Sequence, residues 1–393
     1  MKNYFDTVKY DLSTFHSSDW MILCAILAMF FTQYGLAAVL VIILVHELKN
    51  KKLISDIKEQ PGWKWIYGFI GLQLIVTLFY GNWIGLLNAF GMLIIMAFIA
   101  VYRQCIHPKL FYYCIDLMLL LSVLMGILGL VQFAILSHEG GYSFWEFHIQ
   151  NSPKRRITAL FDNANLYGTM LEFWIFLCVY RFIQNKKRIC QIAYVCIGLF
   201  NLGLMLLTGC RTALIPFVLI VPLFFYFSKE KKWLILSLAT LAVLIGFVFM
   251  KPTLIPRITD MSTLESRFKI WSCAIHGFLQ YPLFGMGPQS YHLYYQMFDG
   301  HKAPHAHNIY IDSFASYGVV GTLILGIYFF KYLVKEILGI RKENRVLFGL
   351  VIGFLLIFLI HGLLDVTMNH PCTALLFLMV INSGCMTKKS LEI

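Results

Sequence analysis

Two histidines one residue apart, His305 and His307, precede Asn308 where a polar stretch meets an apolar run over 309–330. An imidazole titrates near neutral pH, so either ring could act as a general base or hold a substrate hydroxyl. Of the two, His307 leads directly into the apolar run with Asn308 and has the better fixed position. His301, His305 and His307 together offer three imidazoles to a metal. The only carboxylate at ligand spacing is Asp312, which the pattern places inside a helix, so no metal is expected. Glu265 and Asp260 are alternative bases in the same long loop. Cations accompany these groups. Arg211 follows Thr208-Gly209-Cys210 between two apolar runs, so it sits at or below the level of lipid headgroups. A guanidinium there needs a partner, and a phosphate fits its planar fork. Arg156 precedes Asp162, Asn163 and Asn165, residue types that cap a helix. Arg267 lies four residues before Trp271, which makes them neighbours on a helix surface.

The elements that carry these groups are membrane helices. The chain has 393 residues, 59% of them hydrophobic and 13% charged, about half the charge of a soluble domain. Apolar runs cover 20–45, 66–80, 83–101, 110–136, 166–180, 189–207, 213–227, 233–250, 309–330, 346–364 and 373–385. Most approach the length that crosses about 30 Å of hydrocarbon. The first run reads as one helix or as two broken near Gln33-Tyr34-Gly35, giving 11 or 12 helices. The fold class is all-α, a polytopic transmembrane bundle forming one integral domain over 1–393. A large loop interrupts it at 251–308. No cleavable leader is read at the amino terminus. The ten cysteines contain no CxxC pair and read as free thiols.

The net charge of +12 is arranged for a membrane rather than for nucleic acid. Twenty-one of the 32 Lys and Arg residues fall in alternate loops, from Lys49–Lys64 through Arg103 and Lys109, Arg181–Arg188, Lys229–Lys232 and Lys331–Arg345 to Lys388 and Lys389. Those loops are placed in the cytoplasm. Nine basic residues lie on the opposite side: Lys154, Arg155, Arg156, Arg211, Lys251, Arg257, Arg267, Lys269 and Lys302. They oppose the insertion bias and cluster, as an anion-binding outer face would. The long loop is expected to hold an amphipathic interfacial helix over 264–279, with Phe268, Trp271, Ile275 and Phe278 on one face. It lies between Pro256 and Pro282, and Gly285, Gly287 and Pro288 turn the chain back. Tyr291, Tyr294 and Tyr295 suit an aromatic belt at headgroup level or, as the alternative, a surface on which sugars stack. Asp116, Glu172, Asp312, His361 and Asp365 are ionisable residues within or beside apolar runs. Glu172 and Asp312 fall close enough to the outer face to support a site there.

At these residues the chain resembles the O-antigen ligase and polymerase family of bacterial membrane glycosyltransferases. That family's signature is matched by His307-Asn308, nine residues, Gly318, two residues and Gly321. Arg156 to Asn165-Leu166-Tyr167-Gly168, the stretch Leu207-Thr208-Gly209-Cys210-Arg211-Thr212-Ala213, and Arg267 to Trp271 with Pro282 to Gly287 are similar to further family landmarks. The second has Cys210 where the family usually has Ser.

The resemblance implies a GT-C-like enzyme in the bacterial inner membrane with its site facing outward. It takes a glycan from undecaprenyl diphosphate and transfers it to an acceptor hydroxyl on a glycan or lipid-linked partner. It needs neither cofactor nor metal. The implied roles are His307 as catalytic base and Arg156, Arg211 and Arg267 as diphosphate ligands. His305, Asn308, Asn165 and Trp271 support them. A repeat-unit polymerase for capsule, exopolysaccharide or O-antigen is the leading expectation, with other polysaccharide-assembly membrane proteins as possible partners. Ligation onto lipid A core is the alternative within the family. A carrier flippase or transporter is the alternative outside it, and would show mid-membrane polar groups in repeated halves. The polar clusters here sit at one end.

Overall fold

The computed structural model describes residues 13–150, 152–251 and 262–386. The readings placed on residues 1–12, Pro256, Arg257, Asp260, Lys388 and Lys389 lie outside them. Among the described residues every regular element is helical. That follows from the composition, because a backbone in hydrocarbon must satisfy its own N–H and C=O groups.

Each apolar run becomes a helix, and the first becomes two. They are α1 (Ser17–Met29) and α2 (Gln33–Lys49), joined at Phe30–Thr32. The break precedes the expected Gln33 because Thr32 is the cap: its hydroxyl accepts from the Gly35 amide at 2.9 Å. Then come α3 (Leu53–Glu59), α4 (Trp63–Phe79), α5 (Trp83–Cys105) and α6 (Pro108–Glu139). They are followed by α7 (Ala164–Gln184), α8 (Arg188–Leu207), α9 (Arg211–Phe227) and α10 (Lys231–Met250). The large loop folds as α11 (Ser262–Gln280) and α12 (Tyr291–Met297). The chain ends with α13 (Ile309–Tyr328), α14 (Val334–Glu343), α15 (Arg345–His361) and α16 (Pro371–Ile381). Six of these are long and apolar enough to cross a membrane: α5, α6, α7, α8, α10, and α13 with its continuation to Glu343. A bent pair, α3 with α4, also passes when taken together. The protein is therefore a multi-pass membrane protein.

The most enclosed long helix is α7, which packs on α6, α8, α9 and α15. Its Trp174 stacks on Phe30 at the end of α1, and its Phe173 on Phe354 of α15. No residue of α10 is buried, so its apolar side chains are available to lipid. The basic loops meet at one end of the bundle. There Arg103 makes a two-pronged bond to Glu336, at 2.8 and 3.0 Å, and also reaches Asn382. Arg181 bonds Asp116 in the same forked way, at 2.6 and 2.8 Å. The chain returns to the other end at 156–165, 207–211, 305–309 and 361–371, so those four segments meet away from the basic loops.

One expectation about the large loop, the aromatic belt, is corrected, and the buried face of α11 is defined. Phe268 and Ile275 of α11 are exposed, whereas Ile270, Cys273 and Ala274 are the buried face. The helix buries its small residues because Gly277 lets the ring of Tyr294 sit directly on it. Phe268, Ile275 and Leu279 are left as an exposed apolar stripe. Tyr291 and Tyr294 form no headgroup belt. Both are fully buried, and their hydroxyls donate to the carbonyls of His301 (2.7 Å) and Ala315 (2.9 Å).

The turn after α11 is locked into a break in α13. Gly318 lies within that helix at φ 61°, ψ −171°. The break frees the amides of Val319 and Val320 to donate to Pro282 and Leu283 carbonyls at 2.8 and 2.9 Å, while Gly287 N–H donates to Ser316. Any Cβ on Gly318 would run into the Leu283 carbonyl and the Phe284 amide, so only glycine fits. From the other side, Asn82 donates to the carbonyls of Met286 and Pro288.

Candidate active site

Asn308 starts α13. Its side-chain oxygen accepts from the Tyr310 and Ile311 amides at 3.0 Å each, a cap worth about 1 kcal/mol. Its amide group donates to the Leu363 carbonyl at 2.9 Å, and the Ile309 amide donates to Gly362 at 2.7 Å. These bonds stitch the histidine loop to the segment that follows α15. His307 takes a left-handed backbone, φ 49°, uncommon for a residue with a side chain. The Ala306 amide, bonded to buried Asp312 at 2.9 Å, helps hold the loop in that shape.

The stitching places His307 against Asp365. His307 Nδ1 lies 2.9 Å from Asp365 Oδ1, and His305 Nε2 lies 3.8 Å from the same oxygen. Asp365 is buried, its Oδ1 also accepts from the Val366 amide, and its Oδ2 accepts from Asn165 Nδ2 at 2.6 Å. Burial alone would raise its carboxyl. The His307 hydrogen bond, with the electrostatic contributions of the His307, His305 and His361 imidazoles, outweighs that and holds it well below the usual carboxylate range. Asp365 is therefore ionised. For His305, burial pushes the imidazole down to about 4 with Asp365 opposing and His307 adding, so it is neutral at pH 7. An ionised acceptor at Nδ1 selects the tautomer in which His307 Nε2 keeps its lone pair. That nitrogen can take a proton, and the His307 side chain is 24% exposed.

The network continues to the cations. Asn165 Oδ1 accepts from Arg156 at 3.3 Å, and the same guanidinium reaches the carbonyls of Thr208 and Gly209 at 3.4 Å. Arg156 is buried, so it pins the 208–209 turn to α7 as well as lending charge. Arg211 begins α9 two residues beyond that turn and is half-buried. His307, His305, Asn308, Asn165, Arg156 and Arg211 thus gather at one end of the bundle.

Arg267 is half-buried on α11, and among the described residues no hydrogen bond or ion pair joins it to this network. Trp271 packs edge-on against Phe268 in the cluster around α12, and its indole nitrogen is buried without a partner among the described residues. The two stay beside each other on α11 and apart from the Asp365 contacts. Glu265 is exposed and paired with Lys269 at 3.1 Å. His301 contributes its backbone carbonyl to Tyr291. The donor set that could hold a metal is instead His305, His307 and Asp365, with ligand atoms within 4.8 Å of one another.

The sequence reading gave Asp365 no role. Its one signal was a carboxylate four residues after His361, just past an apolar run. A second carboxylate, Asp162, bonds His370 at 3.2 Å and Gln33 at 3.3 Å, tying the loop before α7 to those before α16 and α2. Asn163 is the cap of α7, as its residue type suggested.

Residues 196–326 match the sequence model of the O-antigen ligase family. The match takes in Arg211, Arg267, His307, Asn308, Gly318 and Gly321 and supports assignment to the O-antigen ligase and polymerase family. Arg156, Asn165 and Asp365 lie outside it and reach the site through the fold. No curated protein matches the chain.

Proposed function

From the O-antigen ligase domain at residues 196–326, we infer a glycosyltransferase that moves a glycan from undecaprenyl diphosphate to an acceptor hydroxyl at the outer face of the membrane. The observation that carries this reading is the 2.9 Å contact of His307 with buried, ionised Asp365, linked through Asn165 to Arg156 beside Arg211. His307 Nε2 takes the proton of the acceptor hydroxyl as its oxygen bonds to the anomeric carbon. The bond from that carbon to the diphosphate oxygen breaks, and the diphosphate leaves with the electron pair. Arg211 and Arg156 stabilise the charge that develops on it, and Arg267 on α11 is the third cation we assign to the diphosphate. Phosphate departure needs no nucleotide. The transfer is written without metal, and the chelator arm of the experiment below tests that.

Repeat-unit polymerisation is the form of transfer we favour. Ligation onto lipid A core uses the same donor chemistry. Transport fits less well, because the titratable cluster lies at one end rather than at mid-membrane.

The test is purified protein in lipid nanodiscs with a lipid-diphosphate-linked glycan and acceptor. Wild-type protein should transfer with a chelator present, and His307→Ala should lose transfer by at least about 10²-fold with its fold intact. Normal turnover by His307→Ala would remove the base from the mechanism, and loss on chelation would reassign the cluster to a metal. In cells lacking the protein, loss of long chains marks a polymerase, and accumulation of full-length unattached polymer marks a ligase.

A further inference from the structure

Behind the site lies a second histidine–carboxylate pair that the transfer chemistry does not use. His361, the last residue of α15, is 2% exposed, and Glu172 of α7 is fully buried. His361 Nδ1 lies 3.1 Å from Glu172 Oε2, and its Nε2 lies 3.4 Å from both Thr169 Oγ1 and Thr212 Oγ1.

Each neighbour of this ring leads to a site residue. Thr169 donates to the Asn165 carbonyl at 3.1 Å, Thr212 follows Arg211 in the chain, and the Asp365 amide bonds the His361 carbonyl at 3.1 Å. One imidazole therefore joins α7 and α9 where they carry Asn165 and Arg211 to the end of α15, which leads into Asp365. We propose that His361, held by Glu172, is a positioning residue that registers these three helices and so places the diphosphate cation and the partner of the base. The proposal rests on the transfer reading above.

Donor and acceptor counting fixes how the pair works. Thr169 spends its hydroxyl hydrogen on Asn165, so it turns a lone pair to the ring, and Nε2 carries a hydrogen. A bare Nε2 would set lone pair against lone pair and leave the pair with a buried net negative charge. With Nε2–H fixed, the contact between Nδ1 and Oε2 holds one proton shared by the two groups, and the unit is neutral. The other carboxyl oxygen, Oε1, is buried without a hydrogen-bond partner among the described residues, as a neutral unit tolerates better than an ionised one. The pair is thus a spacer of fixed hydrogen-bond polarity. An amide at position 172 reproduces the donor to Nδ1, and the hydroxyl of Thr212 is an acceptor that valine removes without changing shape.

The experiment measures kcat and donor KM per folded molecule in nanodiscs, with His307→Ala run alongside. Positioning predicts that His361→Ala and Thr212→Val lower kcat by roughly tenfold or more, with donor KM changed less than about threefold. Glu172→Gln should retain most of the turnover, and His361→Gln should recover part of what His361→Ala loses, because its amide returns the N–H to the hydroxyls. Thr212→Val serves as the readout should His361→Ala fail to fold. If His307→Ala is silent while His361→Ala or Thr212→Val keeps wild-type kcat, the positioning role is wrong. Loss of turnover in Glu172→Gln would overturn it as well, since the proton itself would then matter. If His307→Ala turns over normally, the transfer reading fails and takes this inference with it.

Discussion

At the scale of single residues, Asp365 decides what His307 can do. A buried carboxylate with both oxygens bonded is ionised, and an ionised acceptor at Nδ1 leaves Nε2 as the basic nitrogen. Asp365→Asn keeps the shape but lets the amide offer either an oxygen or an N–H to the ring. Transfer should fall by about 10²-fold or more, as when an orienting carboxylate is neutralised in other histidine bases. Full activity in that variant would show that the tautomer is set elsewhere. The His305 value yields a pH prediction of defined sign. Its folded pKa of about 4 lies below the ordinary 6.5, so the unfolded chain takes up that proton first as pH falls. The contribution to stability is whole above pH 6.5 and declines between pH 6.5 and 4, by at most about 3 kcal/mol. Asp365 stays ionised through that window. The melting temperature of His305→Asn in detergent should fall less across it than that of the wild type. Parallel curves would mean that His305 is not held neutral by burial.

At the scale of elements, the signature His307-Asn308 to Gly318 and Gly321 is two mechanical devices on one helix. Asn308 caps the start of α13 and ties it to Leu363, and Gly318 breaks the helix where the turn after α11 docks. The break couples α11 to the histidine loop through the backbone. Gly318→Ala places a methyl against the Leu283 carbonyl at a φ that L residues avoid, with a cost of order 1–3 kcal/mol from the backbone alone. We expect a lower melting temperature and at least a tenfold loss of transfer, whereas Gly326→Ala, with open space around it, should behave as wild type. Equal behaviour of the two variants would show that the docked turn does not position the site.

At the scale of the whole molecule, the site loops and the basic loops lie at opposite ends of the bundle, about 30 Å apart along α7 at 1.5 Å per residue. By the charge rule we propose that the site faces outward. Single cysteines at two exposed positions test this: Lys302→Cys beside the site and Lys187→Cys between α7 and α8. In intact cells a membrane-impermeant maleimide should label the first, and the second only after permeabilisation. The reverse pattern would place His307 in the cytoplasm and end the proposal of an outward-facing site.

The sequence by itself determined the helices and which residues could act. Apolar length alone marks a span, and the alternation of basic loops sorts the ends, since both are local properties of the chain. His307, Asn308 and Arg211 stood out as candidates because polar groups are costly at the edge of an apolar run. The tertiary structure decided the partners. Asp365 lies 58 residues from His307 and 200 from Asn165 along the chain, and no spacing rule reaches across such distances. The two loops meet because α13, α15 and α7 return to one end. The face of α11 was likewise settled by packing: small residues admit a neighbouring ring, while bulky ones are left to lipid. Burial then fixed the charges, which depend on surroundings that a linear pattern does not contain.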